Sequence, residues 1–194
     1  MDNLINFFEE AICKHGGQKS DISFLDTDQI SEIGKQLAAK GIKSRTPNPA
    51  FNVIPINTVA GISQHFDGMY DWITPITCPV KPVADEPRII ELIKVTPDQS
   101  TEATLKEIDA LGFAPAPSNY VLGLGVQYPD VHKEYRYIVS LDEQNVFPGR
   151  SGNPCFLCLS WGGERELSLA YEAGGWSDGW WFAVVRKDSS TPQG

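Results

Sequence analysis

Apolar residues recur with helical spacing in the first part of the chain. Between residues 2 and 15 they share one helical face: Leu4, Ile5, Phe8, Ala11 and Ile12. A second stretch follows a capping-box pattern at Asp26 and Gln29, and its apolar positions are Ile30, Ile33, Leu37 and Ala38. Glycines at 16–17 and 41 end the two stretches. The pattern predicts a helical hairpin over residues 1–45.

The pattern changes from residue 46 to residue 87, where prolines become frequent. Proline lacks an amide donor and fixes φ, so long regular elements are not expected here. One short helix from Asn57 to about Phe66 is compatible with the spacing. The aromatic and isoleucine content argues against a disordered linker. We therefore predict an ordered, proline-rich connection.

Residues 88–188 combine strand and helix signals. The run 88–95 is apolar on both faces, which predicts a central strand. A helix is expected from a cap at Asp98, Ser100 or Thr101 through Leu111. The segment 118–128 is ambiguous, because two glycines weaken a helix while its apolar residues keep helical spacing.

Three further strand signals follow. We predict strands at Tyr135–Leu141 and Trp180–Arg186, and a hairpin formed by Cys155–Trp161 and Glu166–Tyr171. The predicted fold class is α+β, with an N-terminal helical hairpin and a mixed, mainly antiparallel sheet domain. The predicted divisions are a hairpin at 1–45, a connection at 46–87, an α+β domain at 88–188 and a flexible tail at 189–194.

Composition and charge restrict the classes of partner. The 194 residues include 25 acidic and 16 basic side chains, giving a formal net charge of -9. This charge repels phosphate backbones, so no nucleic-acid partner is expected, whereas a basic protein partner or a merely solvated surface fits. The first residues lack a signal-peptide pattern, and no apolar run is long enough for a membrane helix. We therefore expect a cytoplasmic protein with reduced cysteines.

Motif searches identify no catalytic group, cofactor or metal site. Cys155 and Cys158 have CxxC spacing, but residues three apart on a strand point to opposite faces. The histidines at 15, 65 and 132 show no paired ligand spacing. The sequence GISQH lacks the final glycine of a nucleophile elbow, and GLGVQY lacks the third glycine of a dinucleotide fingerprint. In PGRSGNP there is no P-loop, but Arg150 is a candidate anion ligand.

An aromatic cluster near the C-terminus is the strongest candidate surface. Six aromatic residues fall close together: Trp161, Tyr171, Trp176, Trp180, Trp181 and Phe182. Trp180 and Trp181 are adjacent on a strand and must face opposite ways, so one of them is expected outside the core or covered by another element. Core packing remains the alternative for each tryptophan. The predicted binding residues are Trp176, Asp178, Trp180, Trp181 and Arg150.

The order of motifs over residues 111–187 carries a resemblance. The segments LGFAPAP, YPDVHKEYRYIVSL, ERELSLA and WWFAVVRK resemble a C-terminal module of uncharacterised bacterial proteins. The turn WSDG at Trp176–Gly179 and the final Arg186 also resemble C-type-lectin-like and formylglycine-generating-enzyme-like domains. The lectin calcium motifs EPN and WND are absent, and the enzyme's cysteine pair does not map onto Cys155 and Cys158. The resemblance implies a fold and no activity.

Three functional hypotheses follow. The first is a non-enzymatic module that binds a protein partner through the aromatic C-terminal sheet. The second is a carbohydrate or small-ligand binder of lectin-like type. The third is a hydrolase whose site is assembled from distant residues such as His65, His132 and Asp178.

Overall fold

The computed structural model describes residues 48–171 and 175–187. The chain divides between Asn48 and Pro49 into two compact units, and the elements described belong to the second unit. The predicted hairpin at 1–45 and the predicted tail at 189–194 lie outside the described residues.

The described part is α+β, as predicted. Its strands are β1 (Ala50–Val53), β2 (Gly68–Met69), β3 (Arg88–Ile93), β4 (Phe113–Pro115), β5 (Tyr137–Val139), β6 (Phe147–Pro148), β7 (Pro154–Trp161), β8 (Arg165–Ala170) and β9 (Trp180–Arg186). Its helices are α1 (Thr101–Ala110), α2 (Ser118–Gln127) and the short α3 (Val131–Glu134). Short 3-10 helices occupy Ile62–His65 and Glu143–Asn145.

The strands form one mixed sheet in the order β1-β3-β9-β5-β7-β8-β2, to which β4 and β6 add at β9 and β7. The β5–β9 and β2–β8 pairings are parallel and the others are antiparallel, so the predicted mixed, mainly antiparallel sheet is confirmed. Strand β9 pairs with β3 along one edge, and with β5 and then β4 along the other. It is therefore an interior strand, paired along both edges.

Side chains of β9 alternate between two cores on opposite faces of the sheet. Trp181, Ala183 and Val185 pack with α2 and with apolar residues of the segment 53–83. Trp180, Phe182 and Val184 pack with α1 and with Trp176. We call these sides the α2 face and the α1 face. Because β9 contributes to both cores, it joins the two layers of the fold.

Helix α1 begins as its sequence predicts. The hydroxyl of Ser100 accepts a hydrogen bond from the amide of Ala103 at 3.2 Å, so Ser100 is the N-cap. Ile108 is fully buried beneath the helix, with Leu105 and Leu111 partly buried beside it. The predicted strand at 88–95 is also present, and its residues 90–93 are buried.

The ambiguous segment at 118–128 is helical and buried. A Cβ atom on Gly123 would lie 2.2 Å from the carbonyl oxygen of Ile54, so this helix position must be glycine for the two backbones to approach. The side-chain amide of Gln127 donates to the Ile54 carbonyl at 2.7 Å and accepts from the Ile54 amide at 3.1 Å. The glycine that weakens the helix pattern thus allows α2 to pack against the end of β1.

The proline-rich stretch is part of the sheet domain, which differs from the predicted division at residue 87. Strand β1 pairs with β3 from Ala50↔Glu91 to Val53↔Arg88. Its neighbouring prolines are compatible with this position, because β1 lies at the end of the sheet order, where one edge needs no ladder donor. Regular helix is limited to Ile62–His65, since the side chain of Asn57 instead hydrogen-bonds the backbone of Val83.

Strand β5 is shorter than the predicted Tyr135–Leu141, because the residues that follow it serve α2. Asp142 is buried, and its carboxylate accepts hydrogen bonds from the Ser118 amide at 2.9 Å and from Asn145 at 2.6 Å. A carboxylate at a helix N-terminus satisfies an unpaired amide and complements the helix dipole. Among the described residues, no helix has the length and apolar character that a membrane crossing requires.

Candidate ligand-binding face

The tryptophan-rich loop before β9 is fixed against the start of α1. Gln99 and Trp176 form a β-bridge, and the Trp176 indole donates to the hydroxyl of Thr101 at 3.1 Å. Gly175 has φ of +111°, and a Cβ there would lie 2.7 Å from the carbonyl carbon of Asp98. The close approach of the two backbones therefore requires glycine at position 175.

Trp176 belongs to the core and is not part of a surface. Its side chain is 1% exposed, and its ring lies 5.0 Å from that of Trp180 and 5.9 Å from that of Phe182. A ring so enclosed cannot contact a partner directly. Trp176 and Trp180 were both predicted as binding residues. On the α1 face, Trp176 instead packs against Trp180 and supports its ring.

Trp180 forms a partly exposed aromatic pair with Tyr137. The two residues are register partners on β9 and β5, and their ring centroids lie 5.2 Å apart. Tyr137 is 38% exposed, and Trp180 is only partly buried. Aromatic rings with one face packed and the other open are well suited to bind a ligand or a protein.

The same row continues across two further strands. Tyr137 is paired with Ser160 on β7, and Ser160 is paired with Glu166 on β8. The Ser160 hydroxyl donates to the Glu166 carboxylate at 3.2 Å and lies 3.2 Å from the hydroxyl of Ser168. We call the residues Trp180, Tyr137, Ser160 and Glu166 the rim row. It places two aromatic rings beside a hydroxyl and a carboxylate.

Trp181 points to the opposite face, which confirms the predicted alternation. Its ring packs edge-on against Tyr135 at 4.9 Å, and the ammonium of Lys94 lies 4.9 Å above it. Lys94 also donates to the carbonyl of Asp178 and lies 3.9 Å from the carboxylate of the same residue. Neither Trp180 nor Trp181 is fully exposed, because another side chain covers part of each ring.

Arg150 does not join the rim row. Its guanidinium is paired with the carboxylate of Asp71 and lies near the rings of Tyr70 and Trp72. It precedes the start of β7, whereas Ser160 lies six residues beyond that start, about 20 Å along an extended strand. The charge of Arg150 is already balanced, so the structure does not present it as a free anion ligand.

The residues of the hydrolase hypothesis are not brought together. His132 is buried and lies 3.2 Å from the carbonyl of Ser160 through Nδ1, while Asp178 is exposed beside Lys94. Strands β7 and β9 are separated by β5, which places their backbones about 10 Å apart. His65 is exposed and contacts Gln64. No hydrogen bond among the described residues joins the three groups.

Cys78, Cys155 and Cys158, the cysteines in the described ranges, are buried thiols. Cys158 packs on the α1 face, while its neighbours Leu157 and Leu159 pack on the α2 face, so Cys155 lies opposite Cys158 as predicted. Burial raises the pKa of Cys158 to about 12 and also raises the pKa values of Cys78 and Cys155. Thiols that stay protonated are poor metal ligands and nucleophiles. In the described ranges, no group of three or more His, Cys, Asp or Glu residues could hold a metal ion.

The sequence pattern did not reveal Tyr137, Ser160 and Glu166 as members of one row. Tyr137 alternates with buried Ile138, which is a usable signal that it faces another way. The cross-strand register that places it beside Trp180 has no such local signal. No protein-family model, no curated protein and no solved structure matches the chain. The resemblance of residues 111–187 to bacterial and lectin-like modules therefore stays a prediction.

Proposed function

We propose that the chain is a non-enzymatic interaction module that binds a protein partner through the aromatic surface of its C-terminal sheet. The supporting observation is the partly exposed pair of Trp180 and Tyr137 beside Ser160 and Glu166. Tryptophan and tyrosine are enriched among residues that dominate binding energy, because they bury a large area and lose few rotamers. Support of the Trp180 ring by the buried Trp176 reduces the cost of ordering Trp180 on binding.

The partner on this proposal is basic. The chain carries a net charge of -9, and the carboxylate of Asp178, which precedes β9, is 89% exposed. Complementary charge speeds association and excludes acidic partners such as nucleic acids. We further propose that binding takes place in the cytoplasm, where the buried thiols of Cys78, Cys155 and Cys158 would stay reduced.

The test compares capture of partners by the wild type and by a Tyr137→Ala, Trp180→Ala double variant. Ile76→Ala is the matched control, since this side chain is 90% exposed and lies outside the row. Cross-linking in the native cell, followed by quantitative mass spectrometry, should show partners that the control retains and the double variant loses about tenfold or more. Equal capture by all three proteins, with unchanged circular dichroism, would sink the proposal.

A carbohydrate ligand is the second candidate, favoured by the hydrogen-bonded group of Ser160, Glu166 and Ser168 beside the aromatic pair. A sugar presents apolar C–H faces to rings and hydroxyls to a carboxylate. Titration of a glycan panel, followed by tryptophan fluorescence, tests this directly. A sugar should lose nearly all binding in Glu166→Gln, whereas a protein partner anchored on the rings should lose little. No spectral change across the panel counts against a sugar ligand.

A further inference from the structure

A second cluster of aromatic and charged side chains lies outside the rim row. Tyr70, Asp71 and Trp72 directly follow β2, and all three contact the guanidinium of Arg150. The guanidinium carbon lies 5.4 Å from the centroid of the Tyr70 ring and 6.0 Å from that of Trp72. The Asp71 carboxylate accepts from the same guanidinium nitrogen through both of its oxygens. Two rings and one carboxylate therefore surround one cation.

We propose that Tyr70, Asp71 and Trp72 form a binding site for an arginine side chain of a partner, and that Arg150 occupies this site when no partner is bound. A guanidinium combines a planar face for aromatic rings with N–H donors for a carboxylate. Both rings lie within the range of about 6 Å at which a cation is attracted to a ring. We call these three residues the arginine site. Its chemistry fits an arginine better than a compact, strongly hydrated ammonium.

The arginine site is held in place by contacts that do not involve Arg150. The Trp72 indole donates to the carbonyl of Pro148 at 2.8 Å, and the hydroxyl of Thr77 donates to the carbonyl of Trp72. The amide of Tyr70 donates to Leu167 of β8 at 2.9 Å. The Trp72 ring and the backbone of Tyr70 are thus held by contacts that remain when Arg150 leaves.

The Arg150 side chain is suited to exchange. It is 54% exposed, and the carboxylate side chain of Asp71 is 73% exposed, so this ion pair is solvated and stabilises the fold little. The loop that carries Arg150 closes through its own backbone, by a hydrogen bond from Gly149 to Asn153 at 2.8 Å. Release of the side chain therefore leaves the loop intact.

The arginine site and the rim row use different residues. The site lies beside the start of β7, at Pro148, while the rim row crosses β7 near its end, at Ser160. A variant can therefore lose binding at one surface and keep it at the other. The net charge of -9 favours approach of a basic segment to either of them.

The test titrates N-acetyl-argininamide into the full chain and follows the indole N–H resonance of Trp72 by NMR. Arg150→Ala should bind this probe about fivefold tighter or more than the wild type, because the competing side chain is gone. Arg136→Ala removes the same charge from an exposed side chain that makes no contact with the site, and it should bind like the wild type. Adding Asp71→Asn to Arg150→Ala should abolish the gain. N-acetyl-lysinamide should bind more weakly than the arginine probe in Arg150→Ala.

Several results would overturn the inference. An unmoved Trp72 resonance in Arg150→Ala at the highest soluble probe concentration excludes the site. Equal affinities of the wild type and Arg150→Ala show that Arg150 does not compete. An equal gain in affinity for the arginine probe in Arg136→Ala would show that only net charge matters. Equal affinities for the lysine and arginine probes would show that the site does not prefer a guanidinium. Circular dichroism of each variant verifies that the fold is intact.

Discussion

Two tryptophans only four residues apart should respond very differently to truncation. Trp176→Ala is expected to lower the free energy of unfolding by about 3–5 kcal/mol, because its ring is almost fully enclosed. Trp180→Ala should cost clearly less, since its ring is only partly buried. Urea unfolding of both variants measures the difference. Equal losses would assign Trp180 to the core and remove the rationale for the rim row.

The buried imidazole of His132 should make stability depend on pH. Burial lowers the pKa of His132, and this outweighs the opposing effect of the hydrogen bond to the Ser160 carbonyl. The ring also packs edge-on against Phe66, at 5.8 Å between centroids, and the desolvation it suffers there outweighs its backbone contacts with Ser160 and Gly125, which favour the charged form. The folded state therefore holds the neutral form.

The sign of this effect follows from proton binding. Below the ordinary histidine pKa of about 6.5, the unfolded state takes up a proton that the folded state resists, so stability falls as the pH drops through that value. Urea unfolding between pH 5 and pH 7.5 should show this loss, and His132→Asn should show a smaller one. An equal pH dependence in both proteins would assign the effect to other groups.

At the scale of elements, α2 depends on a residue that disfavours an isolated helix. Gly123→Ala adds about 1 kcal/mol of helix propensity but places a methyl group into the carbonyl of Ile54. The net result should be a destabilisation of about 2 kcal/mol or more. Gly162→Ala is the control, because a Cβ there meets no atom within 4 Å, and its effect should stay within about 0.5 kcal/mol. Thermal unfolding tests both, and a stabilised Gly123→Ala would refute the close contact.

The same glycine shows why α2 was ambiguous in the sequence while other elements were not. In β3, β7, β8 and β9 the local pattern of apolar residues predicts a strand directly. Helix α1 is predicted by its serine N-cap. The signals in α2 conflict, because Gly123 serves a contact with Ile54, sixty-nine positions away. Propensity describes the isolated segment, and here packing overrides it.

For the whole molecule, the candidate surfaces depend on register more than on composition. Trp180, Tyr137, Ser160 and Glu166 become neighbours only because β5 lies between β9 and β7. Nothing local to those residues specifies the parallel pairing of β5 with β9. Trp176 was predicted as a binding residue because the clustering of aromatic residues in the sequence does not distinguish two cases. A ring can be buried behind a surface, or it can contact a partner. Its burial requires α1, which contributes the hydroxyl of Thr101.

The sheet should open at β2 before it opens at the interior strand β9. Strand β9 is paired on both edges, whereas β2 is two residues long and ends the strand order beside β8. Amides in well-paired, buried strands exchange only through large-scale opening, and those in short terminal strands exchange through local opening. Hydrogen exchange followed by mass spectrometry should find peptides over 180–186 far more protected than peptides over 68–72, after correction for intrinsic rates. Equal protection of the two would mean that the arginine site is built on rigid sheet. Faster exchange at 68–72 would place it on a segment that a bound arginine can stabilise further, because a ligand of the closed form shifts local opening toward closure.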